Sequence, residues 1–155
     1  MKQQSGFSLM EILIALTIIG ILGAFVLSNF GPEVERAKYT KVKADFQTFE
    51  SALMRYYNDN GFYPTSEQGL QALAQKPETN PEPTSYPRGG YVAQLKKDPW
   101  GNDYLYLSPA EYGDGDYEII SLGAGGQEGG EGQSADVANW NIEEVLAAQQ
   151  EKANQ

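Results

Sequence analysis

The chain has 155 residues, no cysteine, no histidine and a net charge of −10, from 21 acidic and 11 basic residues. The length suits one small domain, and the two missing residue types exclude disulfides, histidine bases, histidine metal ligands and the usual serine triad. The acidic excess works against nucleic-acid binding, which depends on basic contacts to phosphate.

One strongly apolar stretch opens the chain, from Phe7 to Leu27, and its single charge is Glu11. At about 1.5 Å per residue a helix of this length spans the roughly 30 Å hydrocarbon layer of a bilayer. A charge in such a segment costs about 2.5 to 3.5 kcal/mol on insertion scales, so Glu11 is expected to meet a partner. A secretory signal peptide would have a shorter apolar core followed by a small-residue cleavage site. Here the small residue, Gly6, comes first. Cleavage behind Gly6 would keep the helix on the mature chain, make Phe7 its N-terminus and leave Glu11 one helical turn from a new α-amino group.

Gly31-Pro32 predicts a bend rather than a stop in the helix. Beyond it Tyr39, Val42, Phe46, Phe49, Leu53 and Tyr56 recur at alternating intervals of three and four, which lines one face of a helix running to about Tyr57. Asn58-Asp59-Asn60-Gly61 ends it with residues that tolerate left-handed backbone. Thr65 and Gln68 have capping-box spacing and predict a short helix through Leu70 and Leu73, closed by Pro77. Pro77, Pro81, Pro83 and Pro87 then mark an irregular connector, and Asp98-Pro99-Trp100-Gly101-Asn102 reads as a tight turn.

Tyr104 to Leu107 and Tyr117 to Ile120 are short β-prone runs, predicted to form an antiparallel pair. Their tyrosines are expected to complete a small core with hydroxyls in water. Ile142 to Lys152 permits a helix, but its weak amphipathicity predicts a tail that frays. The acidic pairs Asp114 with Asp116 and Glu128 with Glu131 lie in glycine-rich segments that read as solvated turns, so no catalytic site is expected. No Walker-type phosphate loop is present in the sequence.

Gly6, Phe7 and Glu11 together resemble the processing motif of type IV pilins and pseudopilins. Four further segments resemble the major pseudopilins of type II secretion systems: Tyr63 to Leu70, Asp98 to Asn102, Ser121 to Ala124, and Ala135-Asp136-Val137 leading to Asn139-Trp140. The resemblance implies an α+β fold, with a long N-terminal helix packed on a small antiparallel sheet. It divides the chain into a leader at 1–6, a membrane-spanning and filament-core segment at 7–30, and a periplasmic domain at 31–155 that includes the amphipathic half of the helix. It implies cleavage after Gly6 by a prepilin peptidase, N-methylation of Phe7, and pairing of Glu11 with the amine of a neighbouring subunit. A buried carboxylate is tolerable when a cation meets it.

The implied function is structural: a homopolymer, the periplasmic pseudopilus, that drives folded exoproteins through an outer-membrane secretin. Minor pseudopilins, an inner-membrane assembly platform and its ATPase would be the other partners. On charge alone the topology reads the other way, because Arg36, Lys38, Lys41 and Lys43 follow the apolar run while only Lys2 precedes it. The processing motif overrides that count and places the C-terminal domain in the periplasm, behind a single inner-membrane pass. A type IV pilin or minor pseudopilin is the near alternative, and a monomeric, membrane-anchored periplasmic binding module is the alternative of another class.

The family also implies a calcium ion in the loop from Ser121 to Asp136. Calcium takes about six to eight oxygen ligands. This chain departs from the pattern, because Gly125 and Gly132 fall where acidic side chains are expected. The candidate ligands are the Leu122 carbonyl, Ser134 and Asp136, with Glu128 and Glu131 as acidic neighbours. Calcium binding at reduced affinity is the expectation, since so glycine-rich a loop is entropically costly to order unaided.

Overall fold

The computed structural model describes residues 7–153, with side chains placed except at 25–30, 32, 152 and 153. Helix α1, Leu9–Asn60, contains Gly31 and Pro32 within its length and ends at Gly61, whose left-handed backbone (φ 82°) returns its N–H to the Tyr57 carbonyl at 2.7 Å. The stripe read from the sequence is the core: Tyr39, Val42, Phe46, Phe49, Leu53 and Tyr56 are all buried. The short side chain of Ala52, also buried, lets neighbouring elements approach the same face.

The capping box forms with both bonds in place. The Gln68 N–H donates to Thr65 Oγ1 at 3.2 Å and the Thr65 N–H to Gln68 Oε1 at 3.1 Å. The helix it was expected to open begins later, as the four-residue α2, Gln71–Ala74. Gly69 takes positive φ (59°) and breaks the first turn from the second, so the box closes a turn and α2 starts afresh. Leu70, Ala72 and Leu73 still reach the core.

Strands β1, Leu105–Leu107, β2, Glu118–Ser121, and β3, Val137–Ala138, make an antiparallel sheet in the order β1-β2-β3. Tyr106 faces Ile119 across the first pair, and Ser121 faces Val137 across the second. Tyr106, Ile119 and Val137 join the α1 stripe in one core. Two of the three tyrosine hydroxyls in these runs find protein partners rather than water: Tyr106 donates to the Pro64 carbonyl at 3.0 Å and Tyr104 to Asp45 at 2.8 Å. Helix α3, Ile142–Ala153, does not fray as expected; it packs along α1, burying Ile142 and Gln149 and pairing Glu143 with Lys43.

Candidate functional site

Two regions carry the candidate residues: the start of α1 and the loop between β2 and β3. Gly6 lies outside the described residues. Phe7 precedes the N-cap residue Ser8, whose hydroxyl accepts the Glu11 N–H at 3.4 Å while its carbonyl accepts the same N–H at 3.1 Å. Glu11 therefore occupies the first turn, where the helix dipole favours a negative charge. Both Phe7 and Glu11 are exposed in the single chain. Around them Leu9, Met10, Ile12, Leu13, Ile14 and Leu16 are exposed too. The one hydroxyl between Leu9 and Ala24, on Thr17, is satisfied by the Leu13 carbonyl at 2.7 Å. Among the described residues, Glu11 is thus the only polar side chain between Leu9 and Ala24 without a partner. Among the described residues no helix is long and apolar enough to cross a membrane.

In the second region, β2 runs into a 3-10 turn at Gly123–Gly125, and a second such turn, Gly132–Ser134, leads to β3. The two turns pack together, bringing the Leu122, Ser134 and Asp136 candidates into one loop. Leu122 offers its carbonyl to the Gly126 N–H at 3.1 Å, leaving a second lone pair. Asp136 accepts the Gly129 N–H through Oδ2 at 2.7 Å, while its Oδ1 is sealed from solvent with no hydrogen-bond partner among the described residues. Gly125 faces Ser134: a Cβ placed on it would lie 3.2 Å from the Ser134 Cβ and 3.6 Å from its hydroxyl. Gly132 opens onto empty space.

The donor chemistry of this loop suits calcium. Every candidate atom is an oxygen, and the unpartnered Asp136 Oδ1 is the kind of atom that a cation relieves. The set is poor in charge, since among the described residues no group of three or more acidic side chains could hold a metal ion. Leu122, Ser134 and Asp136 fit such an ion mainly as a carbonyl and hydroxyl set with one carboxylate.

Several residues that tie the loop down were not legible as such. Asp98 caps its own turn through Oδ1, accepting the Trp100 N–H at 3.0 Å and the Asn102 N–H at 2.8 Å, and reaches the loop through Oδ2, which accepts the Ser121 hydroxyl at 2.8 Å. Asn102 donates to the Gly123 carbonyl at 2.7 Å. Tyr39 donates to the Gly132 carbonyl at 3.4 Å and Gln133 to Glu35 at 3.3 Å, so α1 itself holds the second turn. Glu118, fully buried, accepts the N–H groups of Glu111 and Tyr112 on one oxygen and the Trp140 indole on the other. The turn at 98–102 was visible as a turn; its role as a fastening for a loop more than twenty residues away needed the fold.

Comparison with known proteins agrees with this architecture. The family described as "Type II secretion system (T2SS), protein G" matches residues 29–140, and "Prokaryotic N-terminal methylation motif" matches residues 1–27. The chain is 51% identical to the type II secretion system core protein G of Vibrio cholerae serotype O1, over 93% of this chain and 97% of that one. It is 44% identical to the protein of the same name from Pseudomonas aeruginosa, over 90% of this chain and 97% of that one. The crystal structure of the major pseudopilin from the type 2 secretion system of enterohaemorrhagic Escherichia coli superposes with a TM-score of 0.65 at 42% identity, covering 73% of this chain and 95% of that one. With its long helix on a three-stranded antiparallel sheet, the chain belongs to the type II secretion system core protein G family, the structural, non-enzymatic major pseudopilins.

Proposed function

We propose that this chain is cleaved behind Gly6, methylated on the amine of Phe7, held in the inner membrane by residues 7–30 with its domain in the periplasm, and polymerised there into the pseudopilus. The observation that carries the reading is the exposed apolar half of α1, with the lone carboxylate of Glu11 in its first turn. In the single chain that surface needs lipid; in a filament it buries against the same surface of other copies. Glu11, moved out of the headgroup region with the helix, would then meet the Phe7 amine of a neighbour, which neutralises both charges and sets the register of one copy on the next. A prepilin peptidase, an assembly platform, minor pseudopilins, a secretin and the exported proteins are the partners this role requires.

For the loop, Leu122, Ser134 and Asp136 are the residues we assign to calcium. Calcium, when bound, supplies coordination across the two 3-10 turns. The chain's own contribution is to hold those turns together through Asn102, Tyr39 and Asp98.

The test is cross-linking in cells. The chain has no cysteine, so every disulfide it forms runs through a pair introduced on the exposed face of α1, and the size of each product tells copies of this chain from other partners. Ladders of multimers that disappear with Gly6→Ala and with Glu11→Ala are the expected result. A wild-type chain that stays monomeric while the secretion machinery is present would overturn the reading in favour of an anchored binding module.

A further inference from the structure

Beside the 121–136 loop lies a cavity of about 480 Å³, lined among others by Leu122, Glu128, Gly129 and Asp136, with Tyr112 and Trp140 as aromatic walls. Two carboxylates face it, and neither pairs with a lysine or arginine among the described residues. We propose that Glu128 is a calcium ligand of this chain, standing in for the carboxylate that Gly125 cannot supply. The proposal rests on the reading that this loop binds calcium, and it adds to that reading a residue and a position.

Three observations converge on Glu128. Gly125 points its empty side-chain direction at Ser134, so that flank of the loop has no carboxylate. Asp136 is joined to the residue next to Glu128, because its Oδ2 accepts the Gly129 N–H, and this leaves its buried Oδ1 free for a cation. Gly130 is pressed against the second turn so closely that a Cβ there would lie 2.5 Å from the Ser134 carbonyl. That close approach, open only to glycine at φ 103°, holds the backbone that carries Glu128 against residues 134 to 136. Oxygen donors on a flexible, glycine-rich loop suit calcium, which accepts irregular coordination, better than magnesium, which demands an octahedron.

The test uses the full chain in detergent. Terbium, which binds calcium sites, is excited through nearby tyrosine and tryptophan, and Tyr112 and Trp140 line this cavity. Calcium titrated against the terbium luminescence gives the affinity, and the melting temperature with and without calcium gives an independent readout. Glu128→Gln should weaken calcium binding about tenfold or more, because carboxylate number tunes calcium affinity. Glu131→Gln, an equal loss of charge in the same loop but outside the cavity lining, should shift it less than about twofold. Without calcium, both variants should melt with the wild type. Equal effects from the two substitutions, or none from Glu128→Gln, would overturn Glu128 as a ligand while leaving the calcium site standing. A wild-type chain with no calcium-displaceable luminescence and no shift in melting would overturn both.

Discussion

The two halves of α1 are the same secondary structure put to opposite uses. From Leu9 to Ala24 the described side chains are apolar nearly all round and exposed, whereas between Tyr39 and Tyr56 the stripe of Tyr39, Val42, Phe46, Phe49, Leu53 and Tyr56 is buried and the apolar residues off it, Ala44 and Met54, are exposed. A helix apolar on all sides has no inward face, so nothing within its own chain can satisfy it. A helix with one stripe can be completed by a single sheet. The first half therefore has to be covered by something outside the described residues of its own chain, and the second half is finished by residues 62 to 146 of the same chain.

This contrast predicts that damage to one half should leave the other untouched. Glu11→Ala is expected to abolish multimers in cells while the melting temperature of the C-terminal domain, followed by tyrosine and tryptophan signals, stays at the wild-type value. A domain that melted earlier would mean that the halves are coupled. In the reverse direction, Phe46→Ala removes a ring fully within the core and packed edge-on against Tyr104 at 5.7 Å. Denaturant unfolding should show a loss of about 3 to 5 kcal/mol.

Alkaline titration sharpens the same division, because the domain half is built with tyrosines. Burial, first of all, pushes the Tyr91 and Tyr117 hydroxyls up to about 12 from an ordinary value of 10.0. Burial also raises Tyr104 and Tyr106. A raised tyrosine pKa means that the fold favours the protonated form, so this stability is complete below about pH 10 and drains away as pH rises from about 10 toward 12. Circular dichroism of the sheet should decline across that window, and Tyr117→Phe should make the decline shallower. The smallest expected effect is that of Ser121→Ala, which leaves the Asp98 Oδ2 buried without its hydroxyl partner. Its loss should be about 1 to 3 kcal/mol by denaturant unfolding.

What could be read from the chain beforehand follows from how local each feature is. The core stripe of α1 and its stop at Gly61 depend on spacing and on one glycine, and both are where the sequence puts them. The same holds for the turn at 98–102 and the pairing of β1 with β2. Strand β3 escaped because two residues carry no periodicity and Val137–Ala138 is a strand only by virtue of lying beside Ile120 and Ser121. Helix α3 looked too weakly amphipathic to dock, yet α1 offers it a complementary flank and buries Gln149 along with Ile142. In the loop, the oxygen candidates could be named from sequence, but the orphaned Asp136 Oδ1 and the cavity it shares with Glu128 are products of long-range packing.

The stripe on α1 has a consequence for the order in which this protein is made. Its covering comes from far downstream: Tyr104 against Phe46 and Phe49, Trp100 against Tyr39, and Ile142 and Leu146 in the same cluster. Tyr39 reaches Gly132 across 93 positions of chain. A polypeptide emerging N-terminus first therefore displays its aromatic stripe, uncovered, until residues 100 to 146 have followed it, and the domain can close only then. During that interval the exposed stripe lies directly behind a segment that is itself apolar, so the two halves of the helix must be kept apart by timing as well as by sequence.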